Sequence, residues 1–172
     1  MATIIRTATL DDQAVLTDFG RRAFEETFAS QNAPENMDAY LTAAFNAERQ
    51  TEELADTDRV TLVAECAGVL VGYAQIHRSD VPGCVTAHNS VELVRFYIDT
   101  PVQGTGIAHE LMRAIEEVAR REASAIWLGV WEHNRRAIAF YRKCGFETAG
   151  AHTFRLGEDL QTDHIMVKVV GG

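Results

Sequence analysis

The stretch Val91-Glu92-Leu93-Val94-Arg95-Phe96-Tyr97-Ile98-Asp99-Thr100-Pro101-Val102-Gln103-Gly104-Thr105-Gly106-Ile107-Ala108 decides how this chain is read. Val91–Ile98 is rich in β-branched and aromatic residues, which predicts a strand. The strand runs through a turn of small residues into a helix predicted over 104–121, where Leu111, Met112, Ile115, Val118 and Ala119 lie on one stripe. A helix start leaves backbone N–H groups unpaired and carries partial positive charge, and glycines there let an anion approach closely. The segment is therefore either an anion-binding loop or a glycine-rich helix start without a ligand. Two other phosphate loops fit poorly. A P-loop needs a Gly-Lys dipeptide, and none occurs. A dinucleotide fingerprint would need glycine or alanine where His109 stands, directly after its strand, but Asp99–Val102 intervene.

Working outward, Thr3–Ala8 reads as a short strand, and Asp11-Asp12 opens a helix with Val15, Leu16, Phe19, Ala23 and Phe24 on its inner face. Pro34 suits the first turn of a second helix carrying Met37, Tyr40, Leu41, Ala44 and Phe45. A polar helical piece follows over 47–55. Val60–Cys66 and Val69–Ile76 form a predicted hairpin around Ala67-Gly68, and 79–89 is a loop. After the central segment come a strand at Ala125–Trp131, a helix at Asn134–Lys143, and strands near 146–155 and 163–170. With no repeat and no linker, the pattern predicts one α/β domain over 1–172 with a mixed sheet.

Composition narrows the function. Of the 172 residues 47% are hydrophobic and 24% charged, a globular balance. Twenty-five acidic residues against 16 basic ones give a net charge of −9, which disfavours binding to nucleic acid and suits the handling of a cation. The acid is uneven: residues 1–60 hold twelve acidic and five basic side chains, and 61–172 hold thirteen and eleven. No signal peptide or membrane span is expected, since the start lacks a charged region leading into a long apolar run. Cys66, Cys84 and Cys144 are far apart, and the six histidines form no pair at helical spacing. A disulfide framework and a metal site are therefore not expected, and the chain reads as cytoplasmic.

Two segments carry a family resemblance. Gln103-Gly104-Thr105-Gly106-Ile107-Ala108 fits Q/R-x-x-G-x-G/A, the acetyl-CoA pyrophosphate motif of the GNAT N-acetyltransferase superfamily. Trp127–Asn134, then Ala137 and Phe140-Tyr141-Arg142-Lys143-Cys144-Gly145-Phe146, resemble that superfamily's second CoA segment. Thr27-Phe28, Gln31-Asn32, Pro34-Glu35-Asn36-Met37, Ala39-Tyr40-Leu41, Gly150-Ala151-His152 and Gln161-Thr162-Asp163-His164-Ile165-Met166 resemble the bacterial PaiA-type spermidine/spermine acetyltransferases, so the likeness spans nearly the whole chain. It implies a GNAT fold, with a central mixed, mostly antiparallel twisted sheet of about six to seven strands flanked by about four helices. It also implies acetyl transfer from acetyl-CoA, without a metal, to a primary amine of a small polycation such as spermidine or spermine, by direct attack in a ternary complex. Alternative acceptors are a protein N-terminus, an aminoglycoside or an amino acid. A non-catalytic acyl-CoA-binding regulator is the remaining alternative. Many members are homodimers.

The resemblance also distributes roles. The backbone of Gln103, Gly104, Thr105, Gly106, Ile107 and Ala108 would hold the pyrophosphate, and that of Phe96, Tyr97 and Ile98 the pantetheine arm, one N–H polarising the thioester carbonyl. Asn134 suits a helix N-cap, and by the resemblance its side chain also reaches the pantetheine. Lys143, in the basic cluster with Arg135, Arg136 and Arg142, would neutralise a CoA phosphate; a solvated helix face is the other reading. Tyr141 would protonate the leaving thiolate, or else is a core tyrosine. Strand alternation puts Glu92 on one face with Val94, Phe96 and Ile98, at the end of an apolar row. There it is either the general base or a carboxylate paired with a neighbouring cation, and without it water would take the proton. Trp127 and Trp131 share a face and suit packing. The amine is expected beneath the first two helices, near Glu26, Phe28, Glu35 and Tyr40, with Glu25 and Asp38 adding to an acidic mouth.

Overall fold

The β-branched and aromatic runs become seven strands of one sheet: β1 (Thr3–Thr7), β2 (Arg59–Cys66), β3 (Val69–His77), β4 (Ser90–Ile98), β5 (Ala125–Trp131), β6 (Glu147–Leu156) and β7 (Asp159–Val169). The computed structural model describes residues 3–171; Met1, Ala2 and Gly172, which the one-domain reading includes, lie outside the described residues. Strand order is β1-β2-β3-β4-β5-β7-β6, and among the described residues only the β4–β5 pair is parallel. Among the described residues five α-helices flank the sheet: α1 (Gln13–Phe28), α2 (Pro34–Ala44), α3 (Ala47–Ala55), α4 (Ile107–Ala119) and α5 (Arg135–Lys143). This is the mixed, mostly antiparallel α/β arrangement expected, with one helix more than four because the polar 47–55 segment is a full helix. None of these helices is long and apolar enough to cross a membrane.

The helices divide between the two faces. Leu111, Met112, Ile115 and Ile138 of α4 and α5 pack with Val91, Leu93, Ile126 and Leu128 of the sheet. On the other face, Leu16 and Phe19 of α1 pack on Val63 and Tyr73, while Phe24, Met37, Leu41, Phe45 and Leu156 form a separate cluster under α1 and α2. Val15 was expected inside α1 but is 45% exposed, because it falls beside the stripe set by Leu16, Phe19 and Phe24.

Two irregularities in β4 shape everything that follows. The β3–β4 register shifts between Gln75 and Ile76: Arg95 pairs with Gln75, Leu93 with Ile76, and Val94 is the extra residue of a bulge. The bulge inverts alternation, so Val91 and Leu93 before it and Phe96 and Ile98 after it all face α4 and α5. In addition, β4 pairs with β5 only from Ser90 to Glu92, opposite Ala125 to Trp127. Beyond that point the two strands part and leave the β5-facing edge of Leu93–Ile98 unpaired.

Two buried carboxylates, Glu53 and Asp12, are paired with arginines. Arg95 donates from Nη1 to Glu53 Oε2 at 2.7 Å and from Nη2 to the Ala44 carbonyl at 3.1 Å, joining β4 to α2 and α3. Near the N-terminus, Arg6 grips both Asp12 oxygens at 2.8 Å, and Thr9 N–H donates to the same carboxylate. The Arg6 guanidinium, the largest cause, holds the Asp12 carboxyl down at about 2. Since the folded pKa is depressed, the contribution is present above the ordinary carboxylate range and lost as pH falls through about 2. Asp12→Asn is therefore expected to lower stability at pH 7 by about 1–2 kcal/mol. Urea unfolding at pH 7 and pH 2.5 checks this, with the gap between variant and parent narrowing at the lower pH.

Candidate active site

The gap between β4 and β5 opens into a cleft of about 700 Å³ that reaches both faces of the sheet. On the α4–α5 side it is walled by Phe96, Ile98, Ala137, Phe140 and Tyr141, and on the α1–α2 side by Phe24, Phe28, Tyr40, Tyr97 and Phe154. A long ligand on one side and a small one on the other can thus meet in the gap.

The loop after β4 forms one end. A 3-10 turn over Thr100–Val102 leads to Gln103, then Gly104 at φ +82° and Gly106 at φ +99°. These left-handed conformations favour glycine, and they delay the helix from the expected residue 104 to Ile107. An added Cβ at either glycine would meet open space, so the space above the loop is clear. Among the described residues, the N–H groups of Gly104, Gly106, Ile107 and Ala108 make no backbone hydrogen bond, whereas those of Gln103 and Thr105 close turns onto Thr100 and Val102. Four unpaired donors at a helix N-terminus suit a pyrophosphate. Gln103 braces the loop: Nε2 donates to the Ile98 carbonyl at 3.0 Å and Oε1 accepts from Arg136. Arg136 and Lys143 both line the cleft. Sequence reasoning chose Lys143 from the basic cluster; only the packing of α5 against the loop brings Arg136 in as well.

The β4 edge is more selective than expected. Asp99 N–H donates to the Val71 carbonyl of β3. Antiparallel alternation then turns the backbone groups of Tyr97 toward β3 and those of Phe96 and Ile98 toward the cleft. Tyr97 was expected to offer its backbone to a ligand; it instead presents its side chain on the α1–α2 face, 5.5 Å from the Tyr73 ring.

On α5, Asn134 Oδ1 caps the helix by accepting from Ala137 N–H at 3.1 Å, and the residue also lines the cleft. Two turns on, Tyr141 faces the same cleft, edge-on to Phe96 at 6.3 Å between ring centres and packed on Phe146. Burial, chiefly, with Cys144 adding, pushes the Tyr141 phenol well above its ordinary pKa, so it stays protonated at any working pH.

Two expected residues fall elsewhere. Glu92 does not share a face with Phe96 and Ile98, because the bulge at Val94 intervenes. Its carboxylate accepts from Ser79 Oγ at 2.6 Å, and Glu92 is not among the residues lining the cleft. Glu35 is exposed, since α2 buries Met37 and Leu41 instead. Of the acidic residues in 1–60, Glu26 alone lines the cleft, near the loop, where Thr100 Oγ1 donates to it at 3.3 Å. Of the four carboxylates expected at an acidic mouth, Glu25, Glu35 and Asp38 are exposed and do not line the cleft. Phe28 and Tyr40 do line the cleft. Trp127 is buried with Val85 and Ile165, as packing predicts, but Trp131 lies edge-on to Phe28 at 6.0 Å and lines the cleft.

The acid of this chamber comes from the far end of the chain. Asp163 of β7 is opposite Trp131 of β5 and His152 of β6, and it lines the cleft. It carried no role in the sequence reading, because strand alternation does not reveal which strands will flank β7. The same wall is tied to the α1–α2 connection, where Gln161 Nε2 donates to Asn32 Oδ1 at 2.5 Å, and to the first turn of α2, where Glu158 N–H donates to Asn36 Oδ1 at 3.0 Å.

Residues 21–146 match the acetyltransferase (GNAT) family, so the chain belongs to that family. It is an acetyl-CoA-dependent N-acetyltransferase. It is 32% identical over 151 residues, 87% of each chain, to an uncharacterized N-acetyltransferase of Lactobacillus delbrueckii subsp. lactis. It is 34% identical to an uncharacterized N-acetyltransferase of Mycobacterium tuberculosis, over 92% of this chain and 98% of that one. A similar solved structure, with a TM-score of 0.80 at 21% identity over 98% and 99% of the two chains, is a PaiA N-acetyltransferase from Thermoplasma acidophilum in complex with coenzyme A.

Proposed function

We propose that this chain, acting as one domain over 1–172, transfers the acetyl group of acetyl-CoA to a primary amine of a small polycation, with spermidine or spermine as the leading acceptors. The observation that carries the reading is the single cleft joining the unpaired N–H groups at Gly104–Ala108 to an aromatic chamber that contains a carboxylate. Acetyl-CoA supplies the activated thioester. Gly104, Gly106, Ile107 and Ala108 bind its pyrophosphate through backbone N–H groups, with Arg136 and Lys143 offsetting the phosphate charge. The cleft-facing backbone groups of Phe96 and Ile98, with Asn134, hold the pantetheine, and the Phe96 N–H polarises the carbonyl.

The amine enters from the α1–α2 side between Phe28, Tyr40 and Trp131. It attacks as the neutral species, its proton passing to water in the open cleft, since Glu92 lies outside. Tyr141 delivers a proton to the leaving sulfur. Placing both reactants in one gap makes the attack direct, and the orientation so gained lowers the barrier.

The test is thiol release from acetyl-CoA across spermidine, spermine, an aminoglycoside, free amino acids and a peptide with a free N-terminus. Release is expected to be fastest, by kcat/KM, with the polyamines. Preference for the peptide or the amino acids would overturn the polyamine assignment. No release with any amine, despite measurable acetyl-CoA binding, would overturn catalysis.

A further inference from the structure

Asp163 is a buried carboxylate whose side chain makes no hydrogen bond among the described residues. The residue is 9% exposed, its Oδ1 has no partner, and its Oδ2 lies 3.9 Å from His152 Nε2. A desolvated carboxylate oxygen without a donor costs stability, so it needs a reason to be there. Gly129 of β5 lines the same space: an added Cβ would come within 3.0 Å of His152 Nε2 and 3.3 Å of Asp163 Oδ2. Absence of a side chain at 129 thus keeps the approach to the carboxylate open. Trp131 and Tyr40 stand around it, and rings there can face a cation.

We infer that Asp163 anchors an ammonium group of the acceptor, with His152 as its flanking partner and Gly129 as the opening through which the cation reaches it. This rests on the acetyl-transfer reading and assigns the acceptor's charge to β7 rather than to the acidic helices. Asp163 is here a specificity-determining residue: it binds a cation and takes no part in the acyl transfer. The groups facing it are His152 from β6, Tyr40 from α2, Glu132 at the end of β5 and His164 on its own strand. Burial, chiefly, raises the Asp163 carboxyl above its usual range; Glu132 adds to the rise, and His152 and His164 oppose it. A raised pKa means that acid neutralises Asp163 earlier than an ordinary aspartate.

The experiment measures spermidine binding to the CoA-loaded protein by calorimetry at pH 7.5 and pH 5.0, in the parent, Asp163→Asn and Asp163→Ser. Both substitutions are expected to weaken binding about 10- to 100-fold at pH 7.5 and leave the Kd for CoA unchanged. Binding to the parent is expected to weaken at pH 5.0 by a larger factor than binding to either variant. The melting temperature of Asp163→Asn is expected to stay level or rise, because an unpaired buried charge has been removed. Equal spermidine affinity in parent and variants, or no spermidine binding to the parent, overturns the inference, as does a large fall in melting temperature in both variants. Binding that depends on Asp163 without thiol release would sink the acetyl-transfer reading alone. Thiol release with KM for spermidine unchanged in both variants would sink this inference alone.

Discussion

Tyr141→Phe is expected to lower kcat by about 10²-fold or more, with little change in KM for acetyl-CoA. The phenylalanine keeps the ring that packs on Phe96 and Phe146, so the cleft wall stays in place while the hydroxyl is lost. An expelled thiolate must gain a proton, and in this apolar part of the cleft bulk water is a poorer donor than a positioned phenol. Burial pushes the Tyr141 phenol upward, so it remains protonated throughout the working range and its own titration should not limit rate on the alkaline side up to about pH 10. Steady-state kinetics at saturating amine checks both statements. An unchanged kcat in the phenylalanine variant would remove Tyr141 from the acid role.

Glu53→Ala is expected to cost about 3–5 kcal/mol of folding stability. Glu53 and Arg95 are 4% and 9% exposed, and Arg95 sits 4.8 Å over the Phe45 ring. Removing the carboxylate strands a guanidinium that burial has taken from water, leaving it the Ala44 carbonyl as its remaining acceptor at 3.1 Å. The size of the loss comes from that orphaned charge rather than from the pair's own net worth. Replacing both partners with apolar residues, as in Glu53→Leu with Arg95→Met, should therefore recover most of it. Chemical denaturation of the parent, the single variant and the double variant separates these contributions. A loss under about 1 kcal/mol in Glu53→Ala would mean that Arg95 finds water or another acceptor.

What could be read from the sequence was what short-range patterns encode. The 59–77 hairpin, the amphipathic stripe Leu111, Met112, Ile115 and the glycine-bearing loop before it depend on neighbours a few residues apart. Failures arose where a distant segment decides. Simple alternation placed Glu92 beside Phe96, but a register shift against β3 at Val94 undoes it, and no local signal marks that bulge. The net charge of the first third suggested an acidic mouth, yet most of that acid is solvated or committed to Arg6, Arg95 and Arg59. The cleft instead draws Asp163 from a strand more than a hundred residues away, placed by the β5-β7-β6 order that periodicity does not carry. The parting of β4 from β5, which creates the cleft, is likewise a property of the assembled sheet.

The central claim is that this cleft moves an acetyl group from acetyl-CoA to an amine by direct transfer. Its most direct test is a parallel count of products after incubation with acetyl-CoA and spermidine: free CoA thiol by colorimetry and acetylated amine by mass spectrometry, for the parent and Tyr141→Phe. The account predicts one acetylated amine per thiol released, at a rate about 10²-fold lower in the variant. Thiol release without acetylated amine, or equal rates in the two proteins, would contradict it.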